Sequence, residues 1–362
     1  MNRFQGKLAL QQRVLPNYRA PFFDLLASAC EGGMGLFTGL PRPREGITTT
    51  NQLRVASYYR GNNIHLFSGH LYLCYQLGLV EWLQNWDPDA LIVEANPRYL
   101  STSSAVKWMH RRSRPVIGWG LGSPPVSGIR KRRRFSFISQ FGAMIAYSQR
   151  GADEYAALGF PREKIFVAHN SVSAPPSFPL PSRPSTFDPR PNILFVGRLQ
   201  ARKRIDALLK ACAQLESQPR LVIVGDGTER ESLQALAREI YPGADFIGAR
   251  HGGELKPYFA EADLFVLPGT GGLAVQEAMS YGLPVIVARG DGTQDDLVRK
   301  ENGWQIPPDD FQTLLSTMKD ALSDVARLRR MGEESYRIVR EEINIQKMVE
   351  TFVRALNSSI RK

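Results

Sequence analysis

Residues Asn192–Val196 read NILFV and continue through Gly197, Arg198 and Leu199 to Lys203. A second apolar run, RLVIV at Arg220–Val224, leads into Gly225-Asp226-Gly227. Between and after these runs the spacing predicts helices at Ile205–Leu215 and Glu229–Ile240. Further short runs begin at Asp245–Ile247 and occupy Leu264–Leu267 (LFVL) and Pro284–Val287 (PVIV), with a helix over Ala274–Ser280. Strands that are apolar without alternation have both faces covered, and strand–helix repetition is how a parallel sheet covers them.

Working towards the N-terminus, the pattern is less regular. Strands are expected at Lys7–Gln11, Leu36–Thr38, Leu91–Glu94, Val116–Trp119, Ala143–Ala146 and Ile165–Ala168. A helix is expected over Phe22–Cys30, stopped by Gly32-Gly33. Between the halves, residues 174–191 (APPSFPLPSRPSTFDPRP) hold seven prolines in 18 positions. Proline removes backbone donors and stiffens the chain, so this stretch reads as an interdomain connector. At 362 residues the chain exceeds what one core usually supports. The expected layout is a domain at 1–173, a linker at 174–191, a second domain at 192–340, and a helix in 341–362 that packs back on the first. Two doubly wound Rossmann-like α/β domains facing a central cleft are the economical architecture, and that cleft is the expected site.

Composition limits the function classes. With 43% hydrophobic and 22% charged residues the chain folds, and no run is long enough to span a bilayer. Its N-terminal stretch lacks the apolar core of a signal peptide, and Cys30, Cys74 and Cys212 lack metal-ligand spacing. A cytoplasmic protein is expected, with any membrane contact peripheral. Charge is uneven: residues 1–185 hold 22 Lys+Arg and 10 Asp+Glu, the remainder 24 and 25. The excess of +12 in the first half implies an anionic partner there.

Three elements in the second half carry chemistry. Gly197 turns the chain after a strand, and Arg198 and Lys203 follow closely enough to grip one anion. Charge-assisted hydrogen bonds contribute about 1.5–3 kcal/mol each, so the pair suits a diphosphate. Gly225-Asp226-Gly227 is a tight turn whose next fingerprint position is Arg230, which counts against a dinucleotide-dependent hydride transfer. The run Leu267-Pro268-Gly269-Thr270-Gly271-Gly272-Leu273 then opens a helix, offering free amides to phosphate. Glu277 lies about one turn inside that helix, where a carboxylate can accept from ribose hydroxyls.

From Gly197 to about Pro308 the chain resembles the donor domain of glycosyltransferase family 4 (glycosyl transferases group 1), a retaining family of the GT-B architecture. The motifs are GRL…K at 197–203, VGDG at 224–227, Phe246-Ile247-Gly248, ADLFVLP at 262–268, EAMSYGLPVIV at 277–287 and NGWQIPPDD at 302–310. The resemblance implies a nucleotide-diphosphate sugar as donor, its diphosphate held by Arg198 and Lys203, its ribose by Glu277 and its phosphates by amides of Gly271, Gly272 and Leu273. Gly197, Gly225, Gly227, Gly248, Gly269 and Thr270 belong to the same donor site, with Arg198, Lys203 and Glu277 as its active groups. Segments 13–23 and 94–98 resemble one branch of the family, implying Tyr18, Arg19, Glu94, Asn96 and Arg98 on the acceptor side. Two positions depart from the pattern: Gly269 replaces the first of a pair of glutamates, and Leu121 replaces a histidine.

Asp87-Pro88-Asp89 matches a metal-binding Asp-x-Asp pattern, yet it precedes a strand, where Asp and Pro make an ordinary turn. No metal or cofactor is therefore expected, and leaving-group charge falls to Arg198, Lys203 and helix-end amides. The run Arg130-Lys131-Arg132-Arg133-Arg134, followed by Phe135-Ser136-Phe137-Ile138, suits an anionic membrane surface, or else is a solvated loop. Nucleic acid is not expected, for no recognised module accompanies the run. Transfer to a glycan or lipid-linked acceptor in surface polysaccharide synthesis is the leading expectation. A nucleotide-sugar-binding protein without turnover and a GT-B sugar-nucleotide epimerase stand as alternatives.

Overall fold

The computed structural model describes residues 2–360, except Asp188 and Asp291, and omits the side chain of Arg44. Asp188 of the expected connector and the last two residues of the expected C-terminal segment therefore lie outside the described residues. The chain divides into two compact units, 1–172 with 345–362, and 173–344.

The first unit holds β1 (Leu8–Val14), α1 (Ala20–Ser28), β2 (Met34–Gly39), β3 (Ser57–Arg60), β4 (Asn62–Leu66), β5 (Leu73–Leu77), α2 (Leu79–Trp86), β6 (Ala90–Glu94) and α3 (Ser101–His110). It continues with β7 (Val116–Gly120), α4 (Gly128–Ile138), β8 (Ala143–Ala146), α5 (Gln149–Leu158) and β9 (Ile165–Val167). Seven strands form a parallel sheet in the order β3-β2-β1-β6-β7-β8-β9, while β4 and β5 pair separately as an antiparallel hairpin. The neighbour order reverses between β1 and β6, which sets the switch point of this sheet.

The second unit holds β10 (Asn192–Val196), α6 (Ile205–Ala213), β11 (Arg220–Val224), α7 (Arg230–Ile240), β12 (Ala244–Gly248), α8 (Lys256–Glu261), β13 (Leu264–Leu267), α9 (Leu273–Ser280), β14 (Val285–Ala288), β15 (Gly303–Ile306), α10 (Phe311–Leu322) and α11 (Val325–Glu341). Its parallel sheet runs β12-β11-β10-β13-β14-β15, with the switch point between β10 and β13. Ile193, Leu194 and Phe195 of β10 are fully buried, as the unbroken apolar run requires.

The last helix, α12 (Ile345–Ile360), belongs to the first unit. Its Phe352 is fully buried, with its ring centroid 5.1 Å from that of Phe22 in α1 and 5.0 Å from that of Trp119 in β7. Burying Val349, Phe352, Val353 and Leu356 on one stripe stabilises by about 1.5–3 kcal/mol per side chain, enough to hold the helix in place.

Residues 173–191 are not the bare connector that their prolines suggest. They belong to the second unit, where Arg183 donates to the carbonyls of Ala262 (2.9 Å), Tyr281 (2.8 Å) and Phe259 (3.0 Å). Arg329 donates to the Pro184 carbonyl at 2.8 Å, and the Tyr336 hydroxyl to that of Phe178. Prolines leave carbonyls without matching donors, and arginine and tyrosine side chains supply them.

Asp87 and Asp89 have structural partners. Asp87 ends α2 in the left-handed region and pairs with Arg114, while Asp89 Oδ2 accepts from the Lys7 amide at 2.7 Å. The basic run 130–134 is not a loop: it lies within α4.

Candidate functional site

In the second unit the two loops that flank the switch point press against each other. The first follows β10 and carries Arg198, Arg202 and Lys203; the second follows β13 and carries 268–272. The Thr270 amide donates to the Arg202 carbonyl at 3.0 Å, and Lys203 Nζ donates to the Thr270 carbonyl at 2.6 Å. Contact is so close at Gly269 that a Cβ there would lie 2.2 Å from the Arg202 carbonyl oxygen. Glycine is the only residue this approach admits, which gives a steric reason for the missing glutamate.

Lys203 is 8% exposed. Burial, with the charges of Arg202 and Arg198 beside it, lowers its ammonium to about 8. Arg198 and Arg202 are exposed, so three cations line one loop with no carboxylate paired to any of them among the described residues. Gly271 takes φ +89°, and Gly272 precedes the first turn of α9. Among the described residues the amides of Gly271, Gly272 and Leu273 have no hydrogen-bond acceptor. Free amides at a helix start beside three cations form an anion-binding surface.

Glu277, one turn into α9, is half-buried, and its carboxylate has no hydrogen-bond or ionic partner among the described residues. Burial alone raises its pKa. Such a carboxylate gains from hydroxyl donors delivered by a ligand.

The other predicted glycines shape the site by packing. Gly197, Gly225 and Gly227 do not present free amides: they donate to the Val224 carbonyl, the Gly248 carbonyl and Asp226 Oδ1. A Cβ on Gly225 would stand 1.9 Å from the Gly197 carbonyl oxygen, so these glycines let β10 and β11 close at their carboxyl ends. Gly248 (φ +84°) ends β12 beside Arg230.

Two residues escape the sequence reading. Arg202 adds a cation next to Lys203, where the motif names only the lysine. Buried Gln294 turns its amide towards Gly272 and Gly290, a long-range placement with no local signal.

In the first unit the predicted acceptor-side residues also sit at a switch point. Tyr18 and Arg19 follow β1, whereas Glu94, Asn96 and Arg98 end and follow β6. Glu94, Asn96 and Arg98 line a cavity of about 390 Å³ together with Trp119, Leu121 and Tyr147. Glu94 Oε2 accepts from the Arg13 amide at 2.6 Å, and burial pushes its carboxyl up to about 7. Asn96 is an internal anchor as well, its Oδ1 accepting from the Arg98 amide at 3.1 Å. Buried Arg19 lies 5.6 Å from the ring centroids of both Trp119 and Tyr147 and donates to Asn170, with no carboxylate partner among the described residues. Tyr18 is on the surface. On α4, Arg130, Lys131, Arg132 and Arg133 are exposed, while Arg134 is tied to Ser123 Oγ (3.1 Å) and the Pro124 carbonyl (2.8 Å).

A GDP-mannose-dependent alpha-mannosyltransferase of Mycobacterium tuberculosis is 40% identical over 128 residues, which are 34% of this chain and 32% of that protein. The Arabidopsis thaliana sulfoquinovosyl transferase SQD2 is 33% identical over 37% of this chain and 27% of its own length. The chain thus spans about a third of the length of these curated relatives. Among solved structures, the lipopolysaccharide outer core galactosyltransferase WaaB aligns with a TM-score of 0.72 at 19% identity, over 98% of this chain and 100% of that one. Anabaena HepE in complex with UDP aligns with a TM-score of 0.71 at 18% identity, over 99% of this chain and 100% of that chain. The two-domain Rossmann-like α/β fold is therefore shared along the whole chain with GT-B proteins, and residues 181–338 match the family described as glycosyl transferases group 1.

Proposed function

We propose that this chain is a glycosyltransferase of family 4, moving a sugar from a nucleotide-diphosphate donor to a glycan or lipid-linked acceptor. The observation that carries the reading is the second unit's cationic loop. Lys203 and Arg202 reach the turn whose Gly271, Gly272 and Leu273 amides are free among the described residues, with Arg198 near enough to Lys203 to lower its ammonium and an unpartnered Glu277 on the helix that follows. The diphosphate binds the cations and amides, and Glu277 accepts from the ribose. As the sugar departs, charge grows on the diphosphate oxygen, and these fixed positive groups stabilise it. A metal is not required for that step, because three cations and three amides already meet the charge. Configuration at the transferred carbon is retained, as the family resemblance implies.

The relatives support the substrate class. One is named for a GDP-mannose donor, another solved structure holds UDP-glucose, and a 29%-identical relative is a putative colanic acid biosynthesis glycosyltransferase of Escherichia coli. We assign the chain to surface polysaccharide synthesis at the cytoplasmic face, with α4 attracting anionic lipid. No helix among the described residues is long and apolar enough to cross a membrane. A thermal-shift series with UDP-, GDP- and other nucleotide sugars, followed by transfer from the ligand with the largest shift, tests the reading. A stabilising donor and a product with the donor's anomeric configuration are expected.

Gly269 favours a second reading, a binding protein without turnover, since the first glutamate of the family's pair is sterically excluded there. Stabilisation by a nucleotide sugar with neither transfer nor hydrolysis would select it.

A further inference from the structure

The β4–β5 hairpin of the first unit is built inside out. Antiparallel strands on a core normally turn apolar side chains inward and polar ones outward. Here Asn63, His65 and Gln76 face inward: Asn63 Nδ2 donates to the carbonyls of Arg13 (2.8 Å) and Leu40 (3.0 Å), and Gln76 Nε2 donates to Asn63 Oδ1 at 2.9 Å. The opposite face exposes Ile64, Leu66, Tyr75 and Leu77, with Ile64 opposite Tyr75 in register. At the tip Phe67 is 67% exposed and Leu71 74% exposed. Phe67 also takes φ +56°, a conformation that costs a non-glycine residue energy. Arg42 fixes the tip by donating to the Phe67 carbonyl, with its guanidinium 4.5 Å from the Tyr72 ring centroid. A strained, anchored turn that displays two large apolar side chains is not a by-product of the core.

Charge says what covers this face. The first unit holds 25 Lys+Arg against 11 Asp+Glu, a net +14, whereas the second is −3. No acidic residue stands between Glu45 and Glu81, the stretch that contains the hairpin. None stands between Glu94 and Asp153, a stretch that holds 11 Lys+Arg and includes α4. The second of these stretches lines one cavity, and the first abuts a segment that lines it. Strand β5 bonds to the 98–101 segment through Cys74 and Arg98 (3.0 Å), while Arg98 and Tyr99 on one side and Arg134 and Phe137 on another line the cavity beside Glu94.

We infer that the hairpin is a membrane-insertion element: Phe67 and Leu71 enter the headgroup–acyl boundary of an anionic bilayer, with Ile64, Leu66, Tyr75 and Leu77 behind them. Apolar insertion and cationic attraction together give stable docking where either alone is marginal. The bilayer then brings a membrane-borne acceptor to the Glu94 cavity, a step that rests on the transferase reading; the docking itself does not.

The test is co-sedimentation of the full chain with phosphatidylglycerol-containing vesicles and with phosphatidylcholine vesicles. Wild type should bind the anionic vesicles, and Phe67→Ser/Leu71→Ser should bind them about tenfold or more weakly. An unchanged melting temperature would show that the variant folds. Separately, Leu71→Trp should add to the wild-type fluorescence an emission component that shifts to the blue with anionic vesicles. Equal binding by wild type and the double variant, an added emission that vesicles leave unshifted, or no vesicle binding at all would overturn the inference. So would a concentration-dependent dimer of wild type that the double variant abolishes, for then a second copy covers the face. Nucleotide-sugar thermal shifts on the same preparations read the donor site alone, so failure of either claim is distinguishable from failure of the other.

Discussion

Lys203 Nζ donates to the Thr270 carbonyl at 2.6 Å, tying the loop after β10 to the loop after β13. That bond aims the buried ammonium at the turn whose Gly271, Gly272 and Leu273 amides are free among the described residues. The lysine is both a strut and a charge, and methionine in its place removes both while keeping the buried stem.

Lys203→Ala and Arg198→Ala should each weaken binding of nucleotide sugar and of free nucleoside diphosphate alike. With about 1.5–3 kcal/mol per charge-assisted hydrogen bond, the expected loss is about tenfold to a hundredfold each by calorimetry. Lys203→Met, which keeps the apolar stem, should lose affinity with little change in melting temperature. Unchanged affinity in all three would remove these residues from the site.

Because the Lys203 ammonium titrates near 8, donor affinity should fall as pH rises through that value. A nucleotide sugar is the ligand to use, since its diphosphate has no ionisation in this range. Lys203→Arg should flatten the profile. The stability sign is opposite. The folded pKa lies below the unfolded one, so between about 8 and 10.5 the unfolded chain binds more protons. Stability without ligand should therefore rise across that window. A wild-type affinity that is flat from about pH 7 to 9.5, the window around the lowered lysine, would contradict the assignment.

At Gly269, alanine should be destabilising, since its Cβ would meet the Arg202 carbonyl oxygen at 2.2 Å. A loss of about 1–3 kcal/mol in denaturant unfolding is expected, and glutamate should fare no better than alanine. Restoration of the family's glutamate would thus fail to raise activity. A Gly269→Glu variant that is as stable as wild type would show that the loops yield more than the packing implies.

Much of the second unit is legible because its strands are short, apolar and unbroken: NILFV, RLVIV and LFVL lie at the predicted positions. In the first unit β3, β4 and β5 are missed. NNIHL and LCYQL mix apolar and polar residues, and nothing local says that the polar ones face inward. α4 is hidden by its charge, since GIRKRRRFSFI has no apolar stripe to announce a helix. The Gly269 departure is visible as a missing carboxylate, but its cause is not, because the Arg202 carbonyl arrives from the loop after β10. Arg19 is found by resemblance, whereas its box of Trp119 and Tyr147 is a purely tertiary construction.

Glu277→Gln should leave affinity for inorganic pyrophosphate unchanged while weakening that for a nucleoside diphosphate about fivefold to twentyfold. The ribose contact passes from a charged carboxylate to a weaker amide acceptor while the phosphate contacts remain, a difference of about 1–2 kcal/mol. Equal losses for both ligands by calorimetry would place Glu277 elsewhere in the mechanism.

The most direct measurement is a crystal structure of the chain with whichever nucleotide sugar stabilises it most. The pyrophosphate should lie within about 3 Å of Lys203 Nζ, the Arg198 guanidinium and the Gly271–Leu273 amides, with the ribose on Glu277. A pyrophosphate bound anywhere else, with the 268–272 turn empty, would contradict that placement.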